Sequence, residues 1–188
     1  LEVEKRALSV TLPLMGKHNI YNALGALAAA GTLGISAERA ALSLQDFEGV
    51  PGRLEAVRGG QDFIVLVDFA HIPDGLMNVL KSLQEYRKKK LILVFGCGGD
   101  RDRLKRPLMA AMAAQYCDEV IVTSDNPRSE NPKLIADEIC VGFPKSFKVY
   151  HVALDRKKAI REALLKARTG DIVLLAGKGH EKVQIVGT

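Results

Sequence analysis

Between residues 63 and 176, short apolar runs of strand length alternate with longer amphipathic stretches. The runs fall at 63–67, 91–95, 119–123, 147–152 and 171–176 and are rich in Val, Ile and Leu. Between them, roughly 74–88, 104–117, 132–141 and 156–167 carry apolar residues at helical spacing. Continuous apolar strands, each followed by a helix, predict βαβ units and a parallel sheet covered on both faces. Residues from about 55 to 188 therefore read as one open, doubly wound α/β domain, with an antiparallel strand allowed at either edge. Ahead of it, Leu8, Val10 and Leu12 alternate as in a strand over residues 1–12, and Ile20, Leu24 and Leu27 mark a helix from His18 to Ala30. Gly31 and Gly34 end that helix, and Ser36 is placed to cap a second one over Ala37–Leu44. The strongest breaker in the chain is Gly49-Val50-Pro51-Gly52-Arg53, which sets a domain boundary giving 1–53 and 54–188. The first segment is small for a core of its own.

Composition narrows the class. A chain of 188 residues with 47% hydrophobic and 26% charged residues can bury a substantial core. At 5% aromatic and without Trp, it has little material for stacking single-stranded nucleic acid. No apolar run reaches the ~18–20 residues of a membrane span, and no leader pattern opens the chain, so membrane and secreted classes are disfavoured. Cys97, Cys117 and Cys140 make an odd set without CxxC spacing, which suits a reducing compartment and argues against zinc. The formal charge of +5 favours anionic partners without separating nucleic acid from nucleotides or acidic metabolites. The chain opens on Leu1 in mid-phrase, and a piece of a longer protein is expected.

In an open parallel sheet, ligands sit outside the carboxyl ends of the strands. Four of the five apolar runs lead there into polar or glycine-rich segments: Asp68 to Asp74, Gly96 to Arg103, Ser124 to Arg128, and Gly177 to Glu181. These loops are expected to converge on one rim around a single polar pocket. Individually they are ambiguous. Gly96 to Gly99 is either an anion-binding nest or a turn needing glycine dihedrals. The charges Asp100, Arg101, Asp102, Arg103, Lys105 and Arg106 form either a solvated helix start or a grip for a zwitterion. Cys97 reads as a small turn residue rather than a nucleophile. Asp125-Asn126-Pro127-Arg128 is a turn sequence whose Arg favours carboxylate or phosphate recognition. His71 and His180 fit structural roles more readily than ligation, and His18 and His151 have no distinguishing neighbours. GxxxxGK[ST], GxGxxG and HExxH are absent, so any ATP site here is only partial.

Taken in order, Gly16-Lys17-His18-Asn19-Ile20-Tyr21-Asn22, Gly52-Arg53-Leu54-Glu55, Asp68-Phe69-Ala70-His71, Gly96 to Met109, Asp125 to Arg128 and Gly177 to Glu181 closely resemble the Mur ligase family. The resemblance runs essentially end to end and is nearest to members that add the third residue of the peptidoglycan stem peptide. It implies the tail of a central ATPase domain followed by most of a C-terminal Rossmann-like domain. It also implies an ATP-dependent amide ligase of the cytoplasm, joining meso-diaminopimelate to UDP-MurNAc-L-Ala-D-Glu through an acyl phosphate. Residue by residue, Asn19, Asn22, Arg53, Asp68 and His71 correspond to ATP-binding positions. Arg101, Asp125, Asn126, Arg128, Gly177 and Glu181 correspond to positions that hold diaminopimelate. Phe69 and Ile72 depart from the family's Tyr and Thr. The phosphate loop and the Mg²⁺ ligands are expected before Leu1, which leaves this chain inactive alone. A monomer without nucleic-acid or membrane partners is expected. The rival readings are a related ligase using L-lysine and a basic nucleic-acid-binding α/β module.

Overall fold

A computed structural model describes residues 2–3 and 6–187, which divide into two compact units, 1–50 and 51–188. Pro51, Gly52 and Arg53 thus belong with the second unit.

In the first unit, β1 (Glu2–Val3) and β2 (Arg6–Ala7) pair as a minimal antiparallel ladder. Among the described residues, the strand expected over 1–12 is limited to these pairs. Leu8, Val10 and Leu12 are half-buried and alternate with exposed Ser9 and Thr11, but they have no ladder partner among the described residues. Alternation of burial alone does not make a strand, because the backbone groups of a strand must also be paired. Two helices follow, α1 (Lys17–Thr32) and α2 (Ala37–Gln45). Ser36 caps α2, its hydroxyl accepting from the Arg39 N–H at 3.3 Å. Ala23, Leu27 and Ala41 are the buried helix residues, a small core as the length of the segment dictates.

The second unit is built on a six-stranded sheet. Its strands are β3 (Glu55–Ala56), β4 (Ile64–Asp68), β5 (Leu91–Phe95), β6 (Glu119–Val122), β7 (Tyr150–Val152) and β8 (Ile172–Ala176). The spatial order is β3-β4-β8-β5-β6-β7, parallel throughout except for β3, which runs antiparallel to β4 at the edge. The helices are α3 (Pro73–Gln84), α4 (Lys105–Tyr116), α5 (Pro132–Cys140) and α6 (Arg156–Lys166). The connections β4–α3–β5, β5–α4–β6 and β6–α5–β7 all step in one direction across the sheet. The return through α6 to β8 steps back. Right-handed crossovers therefore place α3, α4 and α5 together on one face and α6 on the other. On the α6 face, Val65, Ile92, Val94, Ile121 and Val173 pack against Ala159, Ala163 and Ala167. The alternate residues Leu66, Leu93, Val120 and Leu174 are fully buried as well, which explains why these strands read as unbroken apolar runs.

The fourth run shortens from 147–152 to three residues because β7 is an edge strand pairing with Val120 to Val122 of β6. Asp155 starts α6, its carboxylate accepting from the Lys158 N–H at 3.0 Å. Asp155→Ala is expected to cost about 1 kcal/mol in urea unfolding, with Asp155→Asn close to wild type.

Candidate functional site

The reversal of direction leaves β8 between β4 and β5 and opens a crevice at the carboxyl ends of the strands. The loop after β5 and the loop after β6 are locked together there. The Gly99 N–H donates to the Asn126 carbonyl at 2.9 Å, and the Asp100 N–H donates to Glu130 Oε1 at 2.6 Å. Both amides are therefore engaged within the protein and are not free to hold an anion. Nor do Gly96, Gly98 and Gly99 adopt left-handed φ. Their reason is proximity: a Cβ on Gly99 would lie 1.9 Å from the Pro127 carbonyl oxygen.

The charge run beyond these glycines is exposed from Asp100 to Arg103 and goes under at Arg106, and most of its members are bonded within the protein. Asp100 accepts from the Ser129 hydroxyl at 2.6 Å and from the Ser129 N–H, and these bonds lower its pKa. Asp102 caps the Leu104 N–H, Arg103 pairs with Glu138, Lys105 donates to the His71 carbonyl, and Arg106 is completely buried. Arg101 stays exposed, its Nη1 donating to the Asp100 carbonyl and its Cγ lying 3.7 Å from the point where a Gly98 Cβ would sit.

Arg128 reaches the same point from the other loop, its Nη1 3.0 Å from that Cβ position. Its backbone has φ of +51°, a conformation costing about 1–3 kcal/mol for a non-glycine residue. It is held there because the Arg128 N–H donates to the Ile185 carbonyl and the Gly187 N–H to the Arg128 carbonyl. The half-buried guanidinium donates through Nη1 to the Gly99 carbonyl at 2.7 Å. No carboxylate is hydrogen-bonded to it among the described residues, and its bonds within the protein run through Nη1 alone.

In the same loop as Arg128, Asn126 Nδ2 donates to Glu181 Oε2 at 2.9 Å. Lys178, itself buried, donates to the same oxygen at 2.9 Å and to Asn126 Oδ1 at 2.8 Å. The Lys178 ammonium, with Asn126, lowers the Glu181 pKa. Asp125 is buried and accepts from the Asn126 N–H at 2.7 Å. Its Oδ2 would be 2.8 Å from a Cβ on Gly177, whose φ is +107°, so glycine is required there on both counts. Arg101, Asp125, Asn126, Arg128, Gly177 and Glu181 are thus brought to one rim. That rim combines guanidinium groups with a carboxylate and an amide.

The remaining candidates lie elsewhere. Asp68 is buried and both its oxygens accept backbone N–H groups, from Leu54 and Ala70, each at 2.8 Å. In this arrangement its carboxylate ties the 52–54 turn to β4. Arg53 lies over the Phe69 ring, 4.9 Å from its centroid, and His71 and His180 flank the same ring at 4.7 and 5.7 Å. The tyrosine-to-phenylalanine departure therefore sits at the centre of a cation–aromatic cluster. Asn19 and Asn22 stand one turn apart on α1 in the first unit, joined by a hydrogen bond of 3.1 Å. Burial raises the Cys97 thiol to about 12, consistent with an inert residue packed on Met109.

Lys178 and Arg156 were not legible as site residues. Lys178 stood in the sequence only inside a glycine cluster. Arg156 belongs to the one strand end without a polar cluster, yet its Nη2 donates to the Ala176 carbonyl at 2.9 Å, and burial lowers its pKa. Together they line a cavity of about 410 Å3 with Ile160, Glu181, Val183 and Gln184. Among the described residues no group of His, Cys, Asp and Glu is placed to hold a metal ion, and no helix is long and apolar enough to cross a membrane.

Glu130 offers a measurable titration. Its hydrogen bonds with the Arg106 guanidinium hold the carboxyl at about 2, against an ordinary 4.5. Between these values the unfolded chain binds more protons, so the stability this group contributes is present above pH 4.5 and lost as pH falls towards 2. Acid unfolding followed by circular dichroism is expected to be shallower over that window in Glu130→Gln.

The family described as Mur ligase, glutamate ligase domain, matches residues 52–179, and the chain belongs to it. Among curated relatives, the chain is 54% identical over 181 residues to the UDP-N-acetylmuramoyl-L-alanyl-D-glutamate–2,6-diaminopimelate ligase of Syntrophomonas wolfei subsp. wolfei, covering 96% of this chain and 37% of that protein. It is 49% identical over 181 residues to the ligase of the same name from Bacillus cereus, covering 96% and 36%. A solved structure of a UDP-N-acetylmuramoyl-L-alanyl-D-glutamate–2,6-diaminopimelate ligase superposes with a TM-score of 0.72 at 40% identity, covering 98% of this chain and 38% of that one. The chain therefore spans a little over a third of the length of the curated relatives it matches.

Proposed function

We propose that this chain is the carboxyl-terminal part of a cytoplasmic, monomeric ATP-dependent ligase that adds meso-diaminopimelate to UDP-MurNAc-L-Ala-D-Glu. Residues 1–50 are assigned to the end of its ATP-binding domain and 51–188 to the domain that takes the incoming amino acid. The observation that carries the reading is the Arg128 guanidinium, bonded within the protein through Nη1 alone and set on one rim with Arg101, Asn126 and Glu181. Meso-diaminopimelate differs from lysine by one carboxylate at its far end. Arg128 offers that carboxylate a planar fork, whereas lysine leaves the fork unpaired. Glu181 shares its charge with Lys178, so the distal ammonium of the substrate is assigned to the remaining carboxylate oxygen. A lysine ligase is disfavoured because no acid among the described residues plugs Arg128. A nucleic-acid-binding module is disfavoured because these cations gather at strand ends.

Asn19, Asn22, Arg53, Asp68 and His71 are assigned to ATP. The described residues supply no magnesium cluster, and none of them is given that role. Within the reaction, the chain's own residues hold the acceptor amine in reach of an acyl phosphate, a positioning task. The test is an acceptor assay on the full-length enzyme with ATP and the UDP-linked dipeptide. Strong preference for meso-diaminopimelate over lysine is the expected result, and equal use of the two amines ends the reading.

A further inference from the structure

We propose that Arg106 is a positioning residue for the acceptor site, setting the placement of Arg101 and Arg128 from beneath without touching the substrate. This rests on the function proposed above. Arg106 lies in the first turn of α4 and is completely buried. Its Nη1 and Nη2 form a fork on Glu130 at 2.9 and 2.8 Å, Nη1 also donates to Glu138 at 2.6 Å, and Nη2 donates to the Gly98 carbonyl at 3.2 Å. Glu130 passes the constraint on, because its Oε1 also accepts the Asp100 N–H at 2.6 Å.

The placement of these bonds points to geometry rather than stability. Asp100 precedes Arg101, and Glu130 follows Arg128 by two residues. The loop carbonyls alternate in their anchors, Gly98 to Arg106 and Gly99 to Arg128. Asp100 and Arg128 both hold left-handed φ, +53° and +51°, so the segment is kept in a conformation it would otherwise leave. A buried ion pair is an inefficient way to stabilise a fold, since apolar residues of the same volume often serve as well. This one additionally buries an Nε–H with no partner. What a guanidinium provides here, and an apolar side chain cannot, is several fixed directions at once.

Two carboxylates share Arg106 and reach the loop differently: Glu130 accepts a loop backbone N–H, that of Asp100, whereas Glu138 bonds there only to a side chain, that of Arg103. Glu138 on α5 pairs with Arg103 and Arg106, whereas Glu130 pairs with Arg106 and Asp100. This supplies an internal control. In the full-length enzyme, Arg106→Lys and Glu130→Gln are expected to raise KM for meso-diaminopimelate about tenfold. KM for ATP should stay within about twofold, and the preference over lysine should fall. Glu138→Gln is expected to leave all of these within about twofold, even where its melting temperature drops as far.

Equal effects of Glu130→Gln and Glu138→Gln, or lower melting temperatures with unmoved acceptor KM, overturn the proposal and reduce the cluster to a structural one. If Arg106→Lys fails to fold, half-buried Glu130 carries the comparison alone. A wild-type enzyme that ignores meso-diaminopimelate defeats the function reading and this inference with it. A wild type that uses it, with Glu130→Gln unchanged, defeats only the inference.

Discussion

Arg128→Ala in the full-length enzyme is expected to lower kcat/KM for meso-diaminopimelate by about 30- to 1,000-fold while leaving lysine use nearly as it was. The range corresponds to about 2–4 kcal/mol, the cost of removing one partner from a hydrogen-bonded charge pair at a half-buried site. Arg128→Lys should recover little, because an ammonium cannot reproduce two parallel N–H donors. The backbone supplies a further control. Since φ is +51° at this position, Arg128→Gly relieves strain that Arg128→Ala retains. The glycine variant should therefore be about 1 kcal/mol more stable than the alanine variant, yet equally poor with diaminopimelate. Acceptor kinetics that follow stability instead of the guanidinium would contradict the assignment.

The second large effect separates two neighbouring glycines. A Cβ at Gly99 would sit 1.9 Å from a backbone carbonyl, whereas one at Gly98 meets the tip of the Arg128 side chain at 3.0 Å. The first collision can be relieved only by moving two loops that are hydrogen-bonded to each other. Gly99→Ala is thus expected to destabilise the second unit by about 3 kcal/mol or more, lowering its melting temperature by roughly 10 °C or more. The second collision is relieved by swinging a flexible side chain. Gly98→Ala should melt within about 1 kcal/mol of wild type, while displacing Arg128 from the Gly99 carbonyl and reducing the preference for diaminopimelate. Thermal unfolding alongside acceptor assays distinguishes the two, and similar melting for both variants would show that the loops are not locked as described.

The parallel sheet was readable because its strands are buried on both faces and so appear as apolar runs separated by amphipathic stretches. Their ends were readable because polar residues must gather where a ligand is met. What could not be read was strand order: nothing in residues 172–176 says that β8 lies between β4 and β5, since this follows from crossover handedness and not from local pattern. Leu8, Val10 and Leu12 misled because alternation reports burial, and pairing depends on a partner elsewhere in the chain. Among site residues, the Arg128 and Glu181 loops were marked by motif. Arg106 was hidden inside a charge run because its burial depends on Glu130 and Glu138, which are 24 and 32 residues away in sequence. The glycine-rich segment was read as a matter of dihedrals or anion binding, whereas its determinant is the carbonyl of a different loop.

The placement of β8 has a bearing on how the molecule comes into being at the ribosome. Ile64 is laid against Ile172, and Leu91 against the same residue, so the middle of the sheet waits for roughly a hundred residues of further synthesis, about 5–20 s at ordinary elongation rates. Throughout that interval a nascent chain holds two long apolar strands with open edges facing a gap, a template for pairing with other polypeptides. Truncation upstream of residue 172 would therefore remove the keystone instead of trimming a border, leaving a product prone to aggregate or to occupy chaperones.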